Sequence, residues 1–286
     1  MRVPAIQTPM LRRGTQALLR RGLVAFSAVA APRHDYYMLR HGESLANVAG
    51  VISSNPSVAT VEHGLSEAGR AQAGLAAEQF CALARERRVA IFSSDFLRAR
   101  ETAAIVAARL VTDEGNTRVH TGGVILEERL RERCFGDFDG RGVEHYARVW
   151  EEDRADGTHT HFGCESVASV AERTSGLLAH IEESLPALPA GIGNGGIENG
   201  NANAENGDGN GDTSGNEPWL VLLVAHGDVL QILQTVALTL EPKLHRTIAH
   251  LGTAELRKIE RPSALNEAYA EYIEYYDRQL DRGWKS

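Results

Sequence analysis

The sequence predicts an α/β protein built as a three-layer α/β/α sandwich around a largely parallel sheet. Three observations predict it. Apolar runs of strand length alternate along the chain with stretches of helical periodicity. One run, Trp219–Ala225, is apolar throughout, as a strand covered on both faces must be. And three of the strand-like runs end in short polar turns that lead directly into a helical pattern.

Taken in order, Asp35–Leu39 reads as a short buried strand that Arg40-His41-Gly42 interrupts. Ala68, Ala71, Leu75 and Leu83 then mark a helix starting near Ser66, although Gly69 and Gly74 oppose it. Val89–Phe92 is a second strand. It gives way to Ser93-Ser94-Asp95 and a helix with Ala99, Ala103, Val106 and Leu110 on one face. Ser166 is placed to cap a helix that buries Val167, Val170, Thr174, Leu177, Leu178, Ile181 and Leu185. After Trp219–Ala225, His226-Gly227-Asp228 opens a helix through Val229, Ile232, Leu233, Val236 and Leu240. A strand near Thr253–Ile259 and a helical C-terminal segment complete the pattern.

Of the 286 residues, 43% are hydrophobic, enough for one full-sized core. No run approaches the roughly 20 apolar residues that a membrane span needs. The formal charge is −8, unevenly placed: the first 33 residues hold six Arg and no acid, leaving the remainder at −14. Such a body is a poor partner for nucleic acid and leaves room for a small anionic substrate only where cations gather in a cleft. The acid-free, Arg-rich residues 1–33 read as a presequence of the transit type, which predicts a mitochondrial or other organellar location. A secretory signal with Leu23–Ala31 as its apolar stretch, or an uncleaved disordered tail in a cytoplasmic protein, are the alternatives. Residues 34–286 then form a single domain, interrupted at 191–216, where 16 of 26 residues are Gly or Asn. That composition cannot offset its ordering entropy by burial, so a disordered surface insertion is expected. Cys81, Cys134 and Cys164 lack metal-type pairing, and His159-x-His161 in a polar stretch reads as a loop.

The chemistry collects at three junctions where a strand gives way to a helix: Arg40-His41-Gly42, Ser94 through Arg98, and His226-Gly227. Ligands bind at that edge of an open α/β sheet, and helix N-termini there offer N–H donors to an anion. The expected fold therefore brings two His and two Arg together. Arg grips phosphate oxygens bidentately and stays charged. A neutral imidazole attacks near neutral pH without a metal. A carboxylic acid must then protonate the departing alkoxide.

These segments carry a resemblance. Arg40-His41-Gly42-Glu43-Ser44-x-x-Asn47 is similar to the signature of the histidine phosphatase superfamily, which includes phosphoglycerate mutases and fructose-2,6-bisphosphatases. Ser93 through Ala103 looks like its second motif, and Leu130 through Gly136 resembles its acid-bearing segment. Gly163-Cys164-Glu165-Ser166 with Arg173, and Ala225-His226-Gly227, follow in family order. The resemblance implies a phosphoglycerate mutase-like fold, a metal-independent and cofactor-independent reaction, and a small phosphorylated metabolite or a phosphoprotein as substrate. It implies that His41 becomes phosphohistidine, that Glu132 is the proton donor and later the base for water, and that Arg40, Arg98, His226 and Asn47 bind the phosphoryl group. Glu127 and Glu128 are rival acids nearby. Ser53 and Ser54 occupy a stretch that touches substrate in relatives but match it poorly. Mutases of this family carry a basic segment after the acid motif. Here Tyr146–Arg154 is locally acidic and lacks an Arg pair, which ranks phosphatase above mutase. A phosphatase-like scaffold without turnover is the reading from another class.

Overall fold

The protein is described by a computed structural model that covers residues 32–112, 118–185, 218–238 and 240–259. Its five strands are β1 (Asp35–Arg40), β2 (Arg88–Ser93), β3 (Arg118–Leu126), β4 (Leu220–Ala225) and β5 (Leu256–Lys258). They form one sheet in the order β3-β2-β4-β1-β5. The first four run parallel, and β5 pairs antiparallel with β1 at the edge. The seven α-helices described are α1 (Leu45–Ala49), α2 (Pro56–Ala59), α3 (Glu67–Ala84), α4 (Leu97–Thr112), α5 (Tyr146–Ala155), α6 (Val167–Ser184) and α7 (Gly227–Ala237).

The apolar run foreseen as a doubly covered strand is the centre of the sheet. All six residues of β4 are buried, and their alternation divides the core in two. Leu220, Leu222 and Val224 pack with Ala76, Ala77 and Phe80 of α3 and with Ala99, Ala103 and Val106 of α4. Val221, Leu223 and Ala225 point the other way, onto Leu177, Leu178 and Ile181 of α6 and Leu230 and Leu233 of α7. The three layers are thus α3/α4, sheet, and α6/α7. Ser166 caps α6 as expected, its side chain accepting the Ser169 N–H at 3.1 Å.

Gly69 opposes helix formation by propensity, yet it is required where it stands. A Cβ on Gly69 would sit 1.9 Å from the carbonyl oxygen of Glu43, and a Cβ on Gly42 would sit 2.3 Å from that of Gly69. The first turn of α3 therefore lies directly against the turn that follows β1. Ser66 compensates at the N-cap by accepting from the Gly69 N–H at 3.0 Å.

Four elements lie outside the sequence-based expectation: the short helices α1 and α2, together with β3 and α5. β3 carries Gly122-Gly123 in its middle, and its register against β2 slips, with Val89 opposite Val119 but Ile91 opposite Val124. The looped-out residues erase the two-residue alternation by which a strand is read. α5 has no apolar stripe to read, because its buried residues are Val149 and Asp153. An ion pair fastens it instead. Arg133, fully buried, donates two hydrogen bonds of 2.6 and 2.7 Å to the Asp153 carboxylate.

None of the described helices is long and apolar enough to cross a membrane. Residues 1–31 of the expected presequence, the 191–216 insertion and the expected C-terminal helix fall outside the described residues.

Candidate active site

Register assembles the site. Arg40 of β1 lies opposite Ala225 of β4, and Ser93 of β2 lies opposite Val224, so β1, β2 and β4 end at one level. The next residues, His41, Ser94 and His226, therefore emerge side by side. The His41 N–H donates to Ala225 O at 3.0 Å and the Ser94 N–H to Val224 O at 2.9 Å, which extends the ladder through the turn. The two imidazoles, 185 positions apart in the chain, have ring centroids 5.1 Å apart and an interplanar angle of 59°. Both are buried.

Hydrogen bonding sets the tautomer of His41. Its Nδ1 lies 2.7 Å from the carbonyl oxygen of Gly42, which can only accept, so Nδ1 carries the proton and Nε2 keeps its lone pair. Arg98 Nε donates to that Nε2 at 3.1 Å. Arg98 is fixed from its other side by Ser53, whose carbonyl accepts from Nη2 at 2.9 Å. Ser53 is held in turn by His63, whose Nδ1 lies 2.9 Å from the serine oxygen. His226 pairs through Nε2 with the Ser94 hydroxyl at 3.0 Å, and its buried Nδ1 has no partner. Arg40 directs Nη1 to His250 Nε2 and to Leu251 O, both at 2.8 Å, while its buried Nε is likewise unpartnered. Two unsatisfied buried polar atoms on flanking side chains mark a place where a polar ligand would complete the hydrogen bonding.

Electrostatics separates the groups by task. Burial, reinforced by Arg98 and Arg40, holds His41 well below the usual imidazole range, so it is neutral at neutral pH. Burial with Arg98 and His41 does the same to His226. Arg98 is pulled down by burial to about 10 and remains a cation. Glu132 moves the opposite way. Removal from bulk water, then the charge of Asp228, raises its carboxyl to about 7 against the pull of Arg98 and Arg40. A carboxylic acid that keeps its proton near neutrality therefore shares a cleft with a neutral, lone-pair-bearing imidazole and two guanidiniums.

The structure thus gathers His41, His226, Arg40, Arg98 and Glu132. The rival acids are engaged elsewhere: Glu127 pairs with Arg129 at 2.6 Å, and Glu128, largely exposed, pairs with Arg131 at 3.0 Å. Asn47 serves first as a cap. Its Oδ1 accepts the Ser44 N–H at 3.0 Å and closes a capping box on α1, leaving the amide nitrogen as its free polar group. The Ser54 hydroxyl donates to Asp139 Oδ1 at 2.8 Å and accepts the Phe135 N–H at 3.0 Å. His159 and His161 turn to different carboxylates, Asp153 at 2.7 Å and Glu152 at 3.2 Å. Among the described residues no group of three or more His, Cys, Asp and Glu is arranged to hold a metal ion.

Three contributors were not singled out from sequence. Tyr146 at the start of α5 is raised well above the usual phenol range by burial and by the charges of Glu132 and Asp228, so its hydroxyl stays protonated in the field of the acid. Asp228 follows the second histidine and tunes Glu132 from behind. His250 meets Arg40 from a loop before β5. The position of Asp228 directly after His226-Gly227 was a signal available in the chain. Tyr146 and His250 lie in segments with no motif, and only the fold brings them in.

The chain is similar to known proteins in sequence and in fold. Residues 36–188 match the Histidine phosphatase superfamily (branch 1). A 116-residue stretch is 33% identical to phosphoglycerate mutase-like protein 4 of Arabidopsis thaliana, covering 40% of this chain and 43% of that relative's length. Among solved structures, a mycobacterial glucosyl-3-phosphoglycerate phosphatase complexed with VO3 is similar over 79% of this chain and 90% of its own, with 26% identity and a TM-score of 0.56. A protein described as mycobacterial hydrolase 1 matches over the same shares, with 27% identity and a TM-score of 0.56. A phosphoserine phosphatase variant from Entamoeba histolytica, 20% identical over 79% of this chain and 89% of its own with a TM-score of 0.53, shares the fold. With its ordered motifs, its sheet and more than half of its length matched, the chain belongs to branch 1 of the histidine phosphatase superfamily.

Proposed function

We propose that the protein hydrolyses a phosphomonoester of a small metabolite through a phosphohistidine on His41. The observation that carries this reading is the fixed tautomer of His41, with Nδ1–H spent on the Gly42 carbonyl and the Nε2 lone pair turned to Arg98. Entry of a phosphoryl group exchanges that Arg98–His41 contact for Arg98–oxygen contacts. Arg40 and His226, each with an unpartnered buried nitrogen, supply the remaining donors. Nε2 attacks phosphorus in line with the ester oxygen, and the P–O bond breaks. The Glu132 carboxyl, protonated up to about pH 7, passes its proton to the departing alkoxide. The carboxylate so formed accepts a proton from water as that water attacks phosphohistidine, releasing orthophosphate and restoring His41 and Glu132. No step calls on a metal.

Hydrolysis is favoured over return of the phosphoryl group to a second phosphorylated acceptor by the state of α5. Its Arg148 is spent on the faces of Phe138 and Phe162, 5.3 and 5.1 Å from their centroids. The acidic remainder of the helix offers no grip for a second anion. Glucosyl-3-phosphoglycerate phosphatase, the function named for one similar structure, acts on a small phosphorylated metabolite, which supports the same substrate class here.

The test is to trap the intermediate. The full chain incubated with 32P-labelled phosphomonoester in EDTA and quenched in base is expected to carry acid-labile label, absent in His41→Ala, with orthophosphate released in multiple turnovers. Folded protein that neither labels nor turns over any member of a phosphomonoester panel would instead be a binding scaffold. Label that moves only onto 3-phosphoglycerate would make it a mutase.

A further inference from the structure

We propose that His250 is a positioning residue for the phosphate site: its Nε2 is a fixed acceptor that aims the Arg40 guanidinium at the bound phosphoryl group. The proposal rests on the phosphate-site reading above and assigns a residue outside all five motifs. Arg40 Nη1 donates to His250 Nε2 at 2.8 Å, and the other end of the ring is fixed as well. His250 Nδ1 lies 3.2 Å from Gln231 Oε1, an atom that can only accept, so Nδ1 carries the proton and Nε2 is left as the acceptor. Gln231 cannot turn to offer its amide nitrogen instead, because Nε2 donates to Ile248 O at 2.7 Å while Oε1 also accepts from Arg246 Nη1 at 2.5 Å. Each hydrogen bond therefore has a fixed direction: Arg40 donates to His250, His250 donates to Gln231 of α7, and Arg246 donates to the same Gln231 oxygen.

Two further observations support the assignment. The ring sits where the second-histidine motif allows it: a Cβ on Gly227 would lie 2.7 Å from His250 Cε1 and 3.6 Å from Arg40 Cζ, so Gly227 makes room for both side chains. Burial, with Arg40 and Arg246 alongside, holds His250 down to about 4, and the ring is an acceptor throughout the neutral range. The guanidinium is a rigid planar fork on a freely turning aliphatic stem, so the direction it faces is set by the groups that hold it. Tying Nη1 down to an imidazole and to Leu251 O leaves its remaining edge to face the phosphate.

The experiment measures binding of inorganic phosphate to the full chain by titration calorimetry, for the wild type and three variants whose folds are compared by circular dichroism and thermal melting. His250→Gln keeps an acceptor oxygen where Nε2 sits and is expected to bind within about threefold of wild type. His250→Ala removes the acceptor and is expected to bind about tenfold more weakly. His250→Lys sets a donor cation against Arg40 and is expected to bind more weakly again. Equal affinity in wild type, Ala and Lys, or an equal loss in all three variants including Gln, overturns the assignment. Should the Lys variant not fold, the Gln against Ala comparison decides alone. Wild-type protein that binds no phosphate overturns the phosphate-site reading and the positioning role with it. That outcome is distinct from a wild type that binds and variants that do not differ.

Discussion

The proposed reaction requires Glu132 to be an acid at the pH where His41 is a nucleophile, and burial beside Asp228 meets that requirement at a cost to stability. Its carboxyl, raised to about 7 by burial and Asp228, is protonated below that pH and charged above it. Turnover of alkyl phosphates, which need a proton on the leaving oxygen, is expected to fall as pH rises through about 7. In Glu132→Gln that limb disappears and alkyl turnover drops about 10²–10³-fold, while aryl phosphates with good leaving groups lose far less. Equal losses on p-nitrophenyl and alkyl phosphates would remove Glu132 from this role. The same shift has a thermodynamic sign. The folded chain holds this proton more tightly than the unfolded chain, whose carboxyl titrates near 4.5. The associated stability is fully present below about pH 4.5 and lost as pH rises through about 7. Urea unfolding is therefore expected to find Glu132→Gln close to wild type at pH 4.5 but more stable at pH 8, by about 1–3 kcal/mol after allowance for solvent reaching the cleft.

Between helices and turns, the site depends on two contacts that propensity reasoning ranks as defects. Gly69 is one. An exposed-helix Gly→Ala exchange is expected to add about 1 kcal/mol, but here the new Cβ meets the Glu43 carbonyl at 1.9 Å. Backbone has to move, and the backbone that moves carries His41. Gly69→Ala is expected to lower stability by about 2 kcal/mol or more and to reduce kcat, both read on the same preparation by thermal melting and p-nitrophenyl phosphate turnover. The Arg133–Asp153 pair is the other. Both side chains are essentially out of solvent, and the Arg133 N–H also donates to Glu132 Oε1 at 3.0 Å, so the pair fixes the segment that presents the acid. Asp153→Ala leaves a buried guanidinium whose next carboxylate, that of Asp228, is 3.4 Å away, and is expected to cost about 3–5 kcal/mol in urea unfolding. Exchanging both residues for apolar ones, Arg133→Met with Asp153→Leu, is expected to recover much of that loss. Such contacts explain why some elements were readable in the chain and others were not. β4 and α6 declare themselves because burial is their main support and burial leaves a period in the sequence. α5 is held by the ion pairs of Asp153 and by ring contacts of Tyr146, Arg148 and Trp150, β3 loops residues out of its ladder, and none of these devices has a period.

The site was more legible than the elements that support it, and the reason is topological. Any parallel sheet in which β1, β2 and β4 are neighbours must put His41, Ser94 and His226 at one edge, so knowing the strands was enough to foresee the convergence. Nothing comparable announces Tyr146, which enters on a helix with no apolar stripe, or His250, which comes from an irregular loop across the edge strand. The order β3-β2-β4-β1-β5 also bears on the insertion. α6 ends at Ser184 on one face of the sheet, and the chain must return to start β4 at Leu220 in its centre, at the end of the strand remote from the histidines. Residues 191–216, Gly- and Asn-rich, lie in sequence between those two elements. Closing a loop costs free energy that grows only with the logarithm of its length, about 0.6 kcal/mol per doubling. Replacing 191–216 by a Gly/Ser linker of about half the length is therefore expected to leave kcat/KM unchanged within about twofold and to shift stability by less than about 1 kcal/mol, in the stabilising direction. A large loss of activity with the melting temperature preserved would mean that this segment reaches the substrate, and the pocket would then have a wall that neither the strand ends nor the motifs account for.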